Sequence, residues 1–152
     1  MSAEVVEQEA KDAEEDAEST QGVAGGDEDP LIQYIVLRRD LQETAGWPLG
    51  ALVAQGCHAA VAAVMESRND AEVEAYTSPE TINDMRKAVL EVKGETQLQA
   101  LADRLAAASI PFKLWREQPE NVITCLATKP ARKSMLHPHM KKCQLSSWHP
   151  QK

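Results

Sequence analysis

The chain has 152 residues, 43 % of them hydrophobic but only 4 % aromatic. That is enough for one domain with an aliphatic core and too little for two of ordinary size. The formal charge of −8 divides unevenly: residues 1–29 hold 11 acidic side chains and one lysine, and residues 30–152 hold 13 acidic and 15 basic ones. An acidic protein by pI is therefore a mildly basic domain behind an acidic segment, and Lys129 to Lys152 contains six basic residues and no acid.

Residues 1–29 are rich in Glu, Ala, Asp and Gly, and their only bulky apolar side chains apart from Met1 are three valines. Too little apolar surface is available there to offset the entropy of ordering, so a disordered acidic tail is expected over 1–29. It either solubilises the chain or covers its basic face. The first residues show neither the basic start nor the apolar run of a secretory leader. No uninterrupted apolar run reaches the roughly 18 residues of a membrane span. Three cysteines, Cys57, Cys125 and Cys143, have no C-x-x-C spacing. Together these point to free thiols, a reducing cytoplasmic setting and no membrane partner.

The expected elements then run in chain order. Leu31 to Leu37 (LIQYIVL) is a short apolar, β-branched run and reads as a buried strand. Ala51 to Glu66 reads as a helix apolar on nearly all sides and made of small residues, which allows close approach to a sheet. Ser78-Pro79-Glu80 has the chemistry of a helix start, and the spacing predicts a helix to about Lys87. Ala88 to Val92 is the second strand. Glu95 to Ala108 is an amphipathic helix with Leu98, Leu101, Ala102 and Leu105 on one face. Phe112–Trp115 and Val122–Thr128 are the third and fourth strands, joined by a Pro-containing turn and so expected to be antiparallel. Ala131 to Lys142 is weakly helical and broken at Pro138. Alternating strands and helices imply an α/β domain over 30–146: three layers, α/β/α, around a four-stranded mixed but mostly parallel sheet, the last strand pair antiparallel. Residues 147–152 are expected to form a flexible C-terminus.

Several residues stand out chemically. Gln55 and His58, three apart, are the polar side chains of an otherwise apolar helix and share a face. Either both are satisfied by neighbouring loops, or they line a polar cleft where His58 handles protons. Arg38, Arg39 and Asp40 end the first strand, where open α/β sheets place ligands; a solvated ion pair is the plainer account. Arg116 to Asn121 is a dense polar turn in which Glu117 is a candidate carboxylate facing the same cleft. His137, His139, Cys143 and His149 fit no zinc spacing, so no metal is expected. Without GxGxxG, P-loop or GxSxG patterns, no nucleotide cofactor is expected either. Trp47 and Trp115 are expected in the core of this aromatic-poor domain.

The segment IVLRRDL followed by GALVAQGCHAA resembles the signature of the type II peptidyl-tRNA hydrolase family, a strand ending in R-x-D-L and then a G-x-x-A-A-Q-x-x-H-A-A helix. Arg38, Asp40, Leu41, Gly50, Gln55, His58, Ala59 and Ala60 carry it, supported by AVLEV before Glu95-Thr96 and by the closing strand TCLATKP. The likeness covers about residues 31–145, and Leu114 to Asn121 is similar to an animal branch of domain-containing proteins in that family. It implies an α/β fold and hydrolysis of the ester joining a peptide to tRNA, without a cofactor. It implies proton handling by His58, a carboxylate partner in Glu117 or Asp40, and a polar donor in Gln55. Arg38, Arg39, Lys113, Arg116, Lys129, Lys141 and Lys142, aided by Arg132 and Lys133, would meet phosphates in a salt-sensitive way. The pattern departs from the family in two places. Leu49 and Ala51 stand where its loop carries two lysines, and Arg116-Glu117-Gln118-Pro119 stands for Q-D-A-G-R-T. Those departures favour a second reading, a catalytically impaired tRNA- or protein-binding module of the same fold. A homodimer is left open.

Overall fold

A computed structural model describes residues 29–147. The acidic segment, all but its last residue, and the C-terminus from Trp148, with His149, lie outside the described residues. Strand β1 (Leu31–Arg38) sits at the centre of the sheet. It pairs in parallel with β2 (Arg86–Val92) and antiparallel with β4 (Val122–Thr128). β3 (Phe112–Glu117) lies outside β4, the short β6 (Gln144–Leu145) lies outside β2, and β5 (Ala131–Arg132) pairs with the start of β1. Over the described residues the sheet is mixed as expected but has six strands rather than four. It is also mainly antiparallel, because among its pairings only β1–β2 runs parallel. β5 and β6 are two residues long, too short to leave a period-two signal, and β5 occupies part of the stretch expected to be helical.

Alternation along β1 builds the three layers. Ile32, Tyr34 and Val36 face one side and pack against α4 (Glu95–Ala107), whose Leu98, Leu101 and Leu105 are fully buried. The chain leaves β1 through a short helix, α1 (Arg39–Glu43); Ile35 and Leu37 face the other side of the sheet, under α2 (Leu49–Glu66), with Ala59, Ala60, Ala63, Cys125 and Ala127. Small side chains let α2 lie close to the strands: a Cβ on Gly56 would already touch Ile35 at 3.4 Å. By length and composition α2 is the one described helix able to cross a membrane. Here its Leu52, Gln55, Gly56, Ala59, Ala60 and Ala63 are buried on the sheet. It begins two residues earlier than the sequence suggested.

Between α2 and β2 the expectation fails more clearly. Residues 67–77, unassigned from the sequence, contain α3 (Ala71–Tyr76), capped by the Asp70 side chain accepting from Glu72 and Val73 amides. Ser78-Pro79-Glu80 opens no helix; only a 3-10 turn, Ile82–Asp84, follows. The polar groups that would cap a new helix close on the old one instead, Thr81 donating to the Ala75 carbonyl. Pairing of Arg86 with Ile32 then draws the next residues into the sheet. After β5 the chain makes one helical turn, α5 (Lys133–Leu136), and a 3-10 turn at His137–His139.

Candidate active site

Two elements converge at one edge of the α2 face. Gln55 lies on the sheet side of α2 and is buried, while His58, most of a turn on, emerges exposed at its flank. β3 supplies Trp115 and Glu117, which point to the same side because they are two residues apart. The His58 imidazole stacks on the Trp115 indole, centroids 4.9 Å apart and planes 22° from parallel. Trp115 Nε1 donates to Glu117 Oε2 at 2.9 Å. Trp115 is thus half-buried and shared between core and site, not simply a core residue as its size suggested.

The Glu117 carboxyl is held below its ordinary value, first by the indole N–H and then by the Gln55 amide; some desolvation opposes this, and nearby His58 adds to it. At neutral pH the site therefore presents a fixed carboxylate beside an exposed imidazole. Among the described residues, the ring nitrogens of His58 have no hydrogen-bond partner, so both remain free for a ligand.

Below Gln55 the β3–β4 ladder is irregular. Trp115 pairs with Cys125 and Arg116 with Ile123, leaving Thr124 as the extra residue of a bulge. Thr124 Oγ1 donates to Gln55 Oε1 at 2.8 Å, and Cys125 Sγ donates to the Gln55 carbonyl at 3.1 Å. Sequence reasoning did not single out Thr124, because a bulge changes which face a residue meets without leaving a residue pattern.

Asp40 is not brought to this cluster. Alternation turns Arg38 to the α4 side of the sheet, where its guanidinium grips both Asp40 oxygens at 3.0 and 2.7 Å. It also reaches Glu95 at 2.9 Å and the Ile123 carbonyl at 2.7 Å. The Asp40 bonds do most to raise the Arg38 pKa. The R-x-D pair therefore ties the end of β1 to the start of α4. Arg38 is only 9 % exposed, so it is a poor candidate for the phosphate contact expected of it.

The other basic residues differ in availability. Lys129 is 5 % exposed, with its ammonium 2.7 Å from Asp70 and 3.2 Å from Glu72; burial opposes its charge but the carboxylates prevail, so its pKa is raised. That is a structural clamp on α3, a different use from the one expected. Arg39 pairs with Glu43 and Glu91, and Lys113 with Glu66 at the end of α2. Arg116 is exposed and, among the described residues, bonds only the Asn121 backbone and side chain in the turn. Lys141 and Lys142 are exposed before β6. His137 meets the Tyr34 hydroxyl at 3.2 Å. Leu49, half-exposed, and Ala51 form the first turn of α2, which carries no charged side chain.

A domain of this architecture, with Q-x-x-H on the helix over the sheet and a carboxylate at the end of β3, defines a class that direct comparison identifies. Residues 31–146 match the family described as Peptidyl-tRNA hydrolase PTH2, and the chain belongs to that family. It is 44 % identical over 123 residues to the Homo sapiens protein called "Putative peptidyl-tRNA hydrolase PTRHD1", a match covering 80 % of this chain and 86 % of the human one. Identity to the Mus musculus protein of the same name is 46 % over 116 residues, 76 % of this chain and 81 % of the mouse one.

Proposed function

We propose that the domain hydrolyses the ester between the C-terminal carboxyl of a peptide and the ribose of tRNA, and that Glu117, His58 and Gln55 form the reacting site. The observation that carries this reading is the meeting of an ionised Glu117 with an exposed His58 whose ring nitrogens are free. Ester hydrolysis needs a base for the attacking water, a donor for the tetrahedral oxyanion and a proton for the departing ribose oxygen. Glu117 takes the water proton. His58, free at its ring edge, donates a hydrogen bond to the oxyanion, and the proton that Glu117 took passes to the ribose oxygen as its bond to the carbonyl carbon breaks, restoring the carboxylate. Gln55, expected as a donor at the cleft, is better placed to steady Glu117, since its oxygen is taken by Thr124. Arg116, Arg132, Lys141 and Lys142 are expected basic residues exposed enough to meet phosphate, and such contacts weaken steeply with salt.

The test is release of tRNA from an N-blocked aminoacyl-tRNA by the full chain, with His58→Ala and Glu117→Gln alongside. Turnover that falls by about 100-fold or more in both variants supports the reading. Unchanged rates in either refute that residue's role. The uncharged first turn of α2 favours the second reading, a binding module of the same fold. Salt-sensitive tRNA binding by the wild type without turnover would establish that one instead.

A further inference from the structure

We propose that Trp115 is a positioning residue for the reacting pair, its indole holding Glu117 by the ring N–H and His58 against the ring face. The two contacts use different parts of one rigid ring. Nε1 donates to Glu117 Oε2 at 2.9 Å, and the His58 imidazole lies over the indole with centroids 4.9 Å apart and planes 22° from parallel. The ring itself is anchored. The β3–β4 ladder pairs Trp115 with fully buried Cys125, and the side chain packs on the cluster under α2 that holds Ile35, Ala59, Ala63 and Cys125.

A glutamate at a strand end and an exposed histidine both have several rotamers open to them. Trp115 narrows both choices. An indole N–H can only donate, so unlike a hydroxyl or an amide its bond has one sense, and the ionised carboxylate is its best acceptor. The Glu117 carboxyl is accordingly held below its ordinary value, with this bond as the largest cause. Stacking fixes the plane of the imidazole and leaves the ring edge open. One side chain thus sets the direction of the base and of the oxyanion donor together. Substitutions that divide its two contacts should divide their effects.

The catalytic consequence rests on the hydrolase reading; the positioning does not. Trp115→Phe keeps a ring face and loses the donor, and Trp115→Leu loses both. Three measurements are made on the full chain: the ¹³C NMR titration of the Glu117 side-chain carboxyl, the ring-proton shifts of His58 at neutral pH, and kcat and KM for tRNA release. The His58 ring protons of the wild type should lie upfield of those of an unstacked imidazole, shielded by the indole. The phenylalanine variant should keep part of that displacement and the leucine variant none. The Glu117 midpoint should rise toward 4.5 in both variants, since both lack the N–H. With KM little changed, kcat should fall by about 10-fold in Trp115→Phe and by about 100-fold in Trp115→Leu. A role in packing alone predicts lost stability with the His58 shifts and the Glu117 midpoint unmoved, and that result overturns the proposal. Should both variants fail to fold, the wild type decides. The proposal then stands only if the His58 ring protons are displaced and the Trp115 indole N–H resonance follows the Glu117 titration, and it falls if either is missing. A wild type that releases no tRNA sinks the hydrolase reading, while the NMR measurements still decide the role of Trp115.

Discussion

Replacing Arg38 separates a structural use of the R-x-D motif from an RNA-binding one. The guanidinium makes four hydrogen bonds: two to Asp40, one to Glu95 and one to the Ile123 carbonyl. Glu95 is 56 % exposed and recovers its hydration when the arginine is lost, so its share is small. The Ile123 carbonyl is in the core and would lack a donor, which costs about 1–3 kcal/mol. The forked pair with Asp40, itself 35 % exposed, adds about 1 kcal/mol after discounting for solvent. Arg38→Met should therefore destabilise the domain by about 3 kcal/mol, at the low end for breaking a buried ion pair. Arg38→Lys should recover less than half, since one ammonium cannot make the fork. With a urea m-value of about 2 kcal/mol/M, the midpoint falls by about 1.5 M in the methionine variant. Arg116→Ala, at an exposed site, should shift stability by less than about 0.5 kcal/mol while weakening tRNA binding. An Arg38→Met protein with an unchanged urea midpoint but lost tRNA affinity would refute this account and return Arg38 to the phosphate-binding set.

The Glu117 carboxyl should titrate below 4.5, the ordinary value for a glutamate, because the Trp115 indole N–H and then the Gln55 amide favour its charged form; a ¹³C NMR titration of that carboxyl with a midpoint above 4.5 would contradict its assignment as an ionised base. Asp70 is held below its ordinary 3.8, chiefly by the Lys129 hydrogen bond, so its folded form keeps its charge longer than the unfolded chain does. That stabilisation is complete above pH 3.8 and fades as pH falls through the folded value, and Lys129→Met should flatten this part of the acid unfolding curve followed by circular dichroism. Thiol titration of the native protein should label exposed Cys57 first and half-buried Cys143 slowly, since burial raises the Cys143 pKa. Cys125, fully buried with its pKa pushed up to about 12 by burial, should react only on unfolding; rapid native labelling of all three thiols would show that the α2–sheet contact opens.

The amino-acid sequence by itself determined the elements with strong local signals. β1 could be read because both its faces are covered and Leu31 to Leu37 is apolar apart from Gln33, and α4 because Leu98, Leu101, Ala102 and Leu105 repeat at the helical period. Gln55 and His58 could be read as a pair because one helical face carries both, and Glu117 because a carboxylate in a polar turn beside a strand end is conspicuous. Other features were decided only by tertiary structure, because they depend on partners distant in the chain. Ser78-Pro79-Glu80 has every local mark of a helix start, yet pairing of Arg86 with Ile32 claims the following residues for the sheet. Asp40 and Glu117 looked equivalent as partners for His58 until strand alternation sent Arg38, with Asp40 on its guanidinium, to the opposite side of the sheet. Lys129 looked like one more surface base until α3 placed Asp70 and Glu72 against it. Thr124 had no mark in the sequence at all. One unpaired residue in the β3–β4 ladder reverses the face it meets, and register is a property of two strands together, not of either one.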